Sequence, residues 1–157
     1  MSNFKSRYLA YLLHRNSQAG FTLIELLVTI VIIALLSALA LPSMLQQSLK
    51  ARQSATKSHI GAVNRSQQVY RLESKVFANT MTDLGIQIPL STNDYTYSFG
   101  TANATLAEFK ATPQNNSLAA YTGCTMTTIV SGNDATTASS IQEQPASGVT
   151  PATPPSC

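Results

Sequence analysis

The sequence predicts an α+β fold in which a long N-terminal helix, membrane-spanning in its first half and amphipathic in its second, packs on a small antiparallel sheet of three to four strands. Three observations carry that expectation. Residues 26–49 hold no ionisable side chain, and a helix over them would measure roughly 36 Å, enough to cross a hydrocarbon core of about 30 Å. Residues 43–77 contain no proline and only Gly61, so the helix is expected to run on. Further along, Tyr95, Tyr97 and Phe99 alternate with Thr96 and Ser98, the period of two that marks a half-buried strand.

With 157 residues the chain suits one modest domain once the apolar stretch is set aside. The formal net charge of +3 is unevenly spread. Residues 1–20 carry Lys5, Arg7 and Arg15 and no acid, and residues 50–75 carry Lys50, Arg52, Lys57, Arg65, Arg71 and Lys75 against Glu73. Residues 76–157 carry Lys110 against Asp83, Asp94, Glu108, Asp134 and Glu143. The helical part is therefore basic and the distal part acidic.

The basic segment before the apolar run would be a leader. An ordinary secretory signal places its small-residue cleavage site behind a short apolar core, so cutting discards that core. Here Gly20 stands in front of a run too long for such a core, and a cut between Gly20 and Phe21 would keep the membrane helix; an uncut anchor is the alternative on physical grounds. Three cations precede the span and Lys50, Arg52 and Lys57 follow it, so charge leaves topology undecided. Glu25 is the anomaly, an acid one turn inside the apolar block, where an acidic residue is costly and usually functional. Pro42 lacks an N–H within the same block, so a kink or a locally melted turn is expected just before it.

Along residues 43–77, of which 50–77 are the expected amphipathic helix, Leu45, Leu49, Ile60, Val63 and Tyr70 make one stripe at helical spacing, expected to face the sheet. Ala55, Ala62, Val69 and Val76 recur on another face, small enough to admit a neighbouring helix. Lys50, Lys57 and Lys75 share a face that suits solvent first, and acidic patches, lipid phosphates or nucleic acid second. No aromatic residues interleave with them as a base-stacking surface needs.

Residues 78–93 read as a loop containing Pro89. After the first strand, residues 106–112 and 118–130 are expected to pair as the second and third, completing a sheet over 94–130. Residues 131–157, rich in Thr, Ser, Ala and Pro, read as an external loop. Cys124 and Cys157 are an even pair beyond a membrane segment, which suits either a disulfide in an oxidising compartment or two solitary thiols. A bridge would close a loop worth about 3 to 4 kcal/mol on chain-entropy grounds.

Catalytic and metal chemistry have little material. Residues 78–157 hold no histidine, one lysine and scattered carboxylates without a useful spacing. His59 is the one histidine beyond residue 20, so no metal, cofactor or catalytic residue is expected, and an enzyme carried on a membrane anchor is a remote reading.

Gly20-Phe21-Thr22-Leu23-Ile24-Glu25, the run of Leu, Val, Ile and Ala after it, and Pro42 together resemble the class III signal of type IV prepilins. The 20-residue leader is longer than in many of them, a length shared with some cyanobacterial pilins. The resemblance implies cleavage between Gly20 and Phe21 by a prepilin peptidase that also methylates the Phe21 amine. It implies Glu25 paired with the Phe21 amine of an adjacent identical subunit, and an inner-membrane assembly machinery as a further partner. The subunit would wait in the inner membrane and then join a surface filament used for adhesion, twitching motility or DNA uptake, with nucleic acid contacted only by the fibre. A type II secretion pseudopilin or a minor pilin is the alternative; the former typically lacks the cysteine pair.

Overall fold

The computed structural model describes residues 20–131 and 134–157. The leader residues Lys5, Arg7 and Arg15 lie outside the described residues. One helix, α1 (Leu23–Ser74), is followed by four strands, β1 (Tyr95–Ala102), β2 (Leu106–Pro113), β3 (Ala120–Ser131) and β4 (Asp134–Gln144). The chain divides into two units, the first ending at Met44 and the second spanning Leu45–Cys157.

In the first unit, Thr22 starts α1. Its carbonyl accepts the Glu25 and Leu26 N–H groups at 3.1 and 3.2 Å, and its hydroxyl accepts the Glu25 N–H at 3.3 Å. Thr22 and Glu25 thus stand at the N-cap and N3 positions of a capping-box sequence, with the acid at the positive end of the helix dipole. The helix continues through Pro42. From residue 21 to residue 45 all the large apolar side chains are exposed.

In the second unit, α1 buries Thr56, Ile60, Val63, Asn64 and Gln67. They recur at helical spacing of three, four and seven, so they form one face. Ile60 and Val63 from the expected stripe are fully buried, but Leu45 is exposed and Leu49 and Tyr70 are only partly covered. The sheet-facing surface is therefore more polar than the apolar stripe implied, because the loop and strands opposite supply hydrogen-bond partners. Val69, Val76 and Ala55 of the second stripe are exposed, and Ala62 is partly so.

The helix ends at Ser74, three residues short of the expected boundary, where Lys75 turns into the left-handed region with φ 58°. Its N–H still reaches the Arg71 carbonyl at 3.0 Å. The returning chain is held by Gln67, whose amide donates to the Ala78 carbonyl at 2.7 Å and accepts the Ala78 N–H at 2.9 Å. Both groups are buried, so Gln67 satisfies a backbone position that would otherwise be stranded.

The sheet is a meander of order β1-β2-β3-β4, antiparallel throughout. Tyr95, Tyr97, Phe109, Ala111 and Tyr121 form the core with Ile60, Val63, Leu118 and Ala119. Tyr97 stacks on Phe109 with centroids 5.8 Å apart. Gly123 lets α1 approach, since a Cβ there would collide with the Ile60 methyl and with Asn64.

The fourth strand corrects one expectation. Residues 131–157 read as a loop, yet Asp134–Gln144 pair along β3, from Ala120↔Gln144 to Ser131↔Asp134. Its described side chains lie at the surface, so there was no apolar alternation to reveal it.

Candidate functional site

Two places carry chemistry, one in each unit. In the first, Gly20 and Phe21 are exposed, Phe21 to 76%, and precede the capped start of α1. Among the described residues Glu25 makes no ion pair. This acid, one turn inside a surface of exposed Leu, Ile and Val, has no ion-pair partner among the described residues of its unit. Such a surface is far larger than a solitary soluble protein leaves bare, so it calls for lipid or for other helices. Pro42 sits in the same surface, within the helix.

In the second unit, successive strand residues point to opposite faces, and Gly123 lies against α1, so Cys124 points to the outer face. Glu108 pairs directly with Cys124, and Lys110 with Thr122, so all four share that face. Residues 145–157 cross it as a strap. At one end, Asn116 donates to the Gly148 carbonyl at 2.7 Å and accepts the Gly148 N–H through its own carbonyl at 3.1 Å. At the other, the Thr122 hydroxyl donates to the Pro155 carbonyl at 2.6 Å, and Cys157 is joined to Cys124 in a disulfide with Cα atoms 5.9 Å apart. Ala152, within the strap, is buried.

Glu108 completes this clamp and was not singled out in the sequence. Its Oε1 accepts the Cys157 N–H at 2.9 Å, and its Oε2 accepts the Thr101 N–H at 3.2 Å and faces the Lys110 ammonium at 3.1 Å. Gly100 leaves the space, since a Cβ there would lie 2.7 Å from Oε2. The Cys157 N–H does most to lower the carboxyl pKa; burial opposes it, and the Thr101 N–H and Lys110 add to the lowering, giving about 2. The only sequence signal was an acid among alternating apolar residues of a strand, Ala107, Phe109 and Ala111.

The basic helix and acidic distal part meet inside the second unit. Arg52 Nη1 donates to Asp94 Oδ1 at 2.6 Å, and Lys57 Nζ donates to Glu143 Oε2 at 2.8 Å while lying 4.9 Å from the Tyr121 ring centroid. Burial and the Glu143 carboxylate push the Tyr121 hydroxyl up to about 12. Lys57 is thus engaged by a partner within the second unit. The Tyr97 hydroxyl lies 3.3 Å from both His59 Nδ1 and Thr56 Oγ1, so His59 serves the helix–sheet contact.

Comparison with known proteins decides the family. A model described as "type IV pilin-like G and H" matches residues 53–157, the whole of the sheet and the helical half packed on it. The chain belongs to this pilin-like family. A second model, the prokaryotic N-terminal methylation motif, matches residues 15–41 and so brackets Gly20, Phe21 and Glu25 of the pilin-like chain. Among curated proteins, it is 32% identical over 72 residues to a type II secretion system core protein G of Pseudomonas aeruginosa, covering 46% of this chain and 51% of that protein. It is 30% identical over 83 residues to the type IV major pilin protein of Myxococcus xanthus, covering 53% and 37%. Against the major component of the type IV wide pilus of Thermus thermophilus it is 29% identical over 90 residues, covering 57% and 67%. The pilin-like chain spans about half the length of the first curated relatives it matches.

Proposed function

We propose that this chain is a structural subunit of a type IV pilus. It is cut between Gly20 and Phe21, methylated at the new Phe21 amine, and held in the inner membrane by the first half of α1 before joining identical subunits in a surface filament. The observation that carries this is Glu25, an acid without an ion-pair partner among the described residues, set in a wholly exposed apolar helix surface. In the uncut chain Phe21 carries an amide; after cutting it carries a cation. An adjacent subunit staggered by one turn would bring that cation to Glu25, and a paired charge is far better tolerated in an apolar bundle than a lone one. Methylation keeps the nitrogen protonatable and so keeps the attraction. The subunit's role is mechanical, and adhesion, motility or DNA uptake would belong to the fibre.

Intact mass of protein sheared from the cell surface tests this reading. The expected species begins at Phe21, carries one added methyl group, and has lost two hydrogens to the disulfide. A species retaining residues 1–20, or absence of the chain from sheared filaments, overturns it.

A second reading is a pseudopilin of a type II secretion system, favoured by the 32% identity to core protein G of Pseudomonas aeruginosa. The Cys124–Cys157 bridge favours the pilus. Deleting the chain separates the two, since a pilus subunit abolishes surface filaments and a pseudopilin abolishes export of secreted enzymes.

A further inference from the structure

The clamp on Cys157 contains contacts that do not pass through sulfur. The Cys157 N–H bonds to Glu108 Oε1, and the Pro155 carbonyl bonds to the Thr122 hydroxyl. Both are available to a chain whose cysteines are still thiols. Glu108 is also directly opposite Cys124 on the same face, so a residue held by that carboxylate is delivered to Cys124. The carboxylate itself is pre-set: Thr101 N–H and Lys110 hold Oε2, and Gly100 leaves room for it. Among the described residues, the partner of Oε1 is Cys157 alone. A hydrogen bond to a charged carboxylate is stronger than one between neutral groups, so the Cys157 N–H contact favours return of the strap whatever the state of the sulfurs.

We propose that Glu108 is a positioning residue for closure of the Cys124–Cys157 disulfide, docking the reduced strap so that the two thiols meet before they are oxidised. The oxidant is an external disulfide. One thiolate attacks it and expels a first thiol; the second cysteine then attacks the mixed disulfide and expels a second. Two protons and two electrons leave the cysteines, one S–S bond forms in the chain, and one is lost from the oxidant. The glutamate takes no part in these exchanges. It raises the effective concentration of one cysteine at the other, as the sheet holds the chain only as far as Gln144 and otherwise leaves the strap free to wander.

The test uses the full chain in detergent micelles, equilibrated with reduced and oxidised glutathione at pH 7 and read by thiol alkylation and intact mass. Glu108→Ala should lower the effective concentration of the cysteine pair by about tenfold or more, the worth of a hydrogen bond to a charged group. Glu108→Gln, which keeps an acceptor oxygen, should restore most of it. Hydrogen exchange of the fully reduced chain separates positioning from mere support of the fold. The Cys157 amide should stay protected in the unsubstituted chain and lose protection in the Glu108→Ala variant, while the amides of β2 and β3 are unchanged in both. An equal effective concentration in the unsubstituted and Ala-substituted chains overturns the proposal. So does loss of Cys157 protection on reduction alone with Glu108 intact. Should Glu108→Ala fail to fold, the comparison rests on Glu108→Gln and on Thr122→Val, which removes only the Pro155 contact and should lower the effective concentration by a smaller factor.

Discussion

The two halves of α1 obey opposite rules. In the first half Leu, Ile and Val are exposed throughout, whereas in the second Thr56, Asn64 and Gln67 are buried beside Ile60 and Val63. Both inversions have one cause. A side chain is placed by its partner, and the second half finds its partners within the chain while the first half finds none among the described residues. Gln67 is buried because Ala78 needs both its donor and its acceptor, and Asn64 because its amide reaches the Ser140 carbonyl at 3.2 Å. Glu25 is left without an ion pair because nothing described in its unit answers it.

That contrast can be broken by substitution, and the largest effect is expected at Glu25. Glu25→Ala should leave membrane insertion and leader removal intact and cut incorporation into filaments by more than about tenfold, the loss expected for a desolvated charge pair. Normal filament yield on immunoblots of sheared material would place the partner of Glu25 elsewhere. The same apolar truncation made in each half sharpens the comparison. Ile60→Ala should lower the unfolding free energy of the head, the second unit Leu45–Cys157, by about 2 to 5 kcal/mol, and Ile32→Ala should leave denaturant unfolding of the head unchanged. Gln67→Leu removes both bonds to Ala78 and should cost about 2 to 3 kcal/mol in spite of its apolar gain.

Acid probes the polar contacts of the head. The carboxyl of Glu108, held at about 2 against an ordinary 4.5, contributes stability that is complete above pH 4.5 and is lost as pH falls toward 2. Comparing unfolding of the unsubstituted chain with that of the Glu108→Gln variant between pH 7 and pH 2 isolates this component. The gap between them should shrink as the solution is acidified. The smallest effect is expected at Thr125, whose buried hydroxyl has no hydrogen-bond partner among the described residues. Thr125→Val keeps the shape and removes that polar atom, so thermal unfolding should rise by the equivalent of about 1 kcal/mol.

Legibility in the sequence follows the same division. Residues 26–49 declare themselves because lipid, or a bundle of like helices, demands uniform composition and nothing else. The strand at Tyr95 declared itself through alternation, its one face in the core and its other outside. β4 did not, since an exposed edge strand of Thr, Ser and Ala owes its place to pairing with β3. Glu108 and Gln67 were silent for a related reason: the groups they satisfy, Cys157 and Ala78, lie 49 and 11 residues away, and no local pattern announces such a match. Thr22 is legible as the Thr-x-x-Glu signature of a helix start, although it adjoins an apolar run that signals the helix more strongly.

The order of the strands also has a kinetic side. Because β1, β2, β3 and β4 are neighbours in the same order in which they occur along the chain, each pairing closes only a short segment. The contacts that bring helix and strap home span much more, 76 residues from Asn64 to Ser140 and 49 from Glu108 to Cys157. Loop-closure entropy then places the hairpins first and the docking of helix and strap after them. The outermost layer of the second unit is therefore held twice, by sulfur and by the Glu108 and Thr122 contacts, and only when both are removed is it expected to open, leaving the meander beneath it folded.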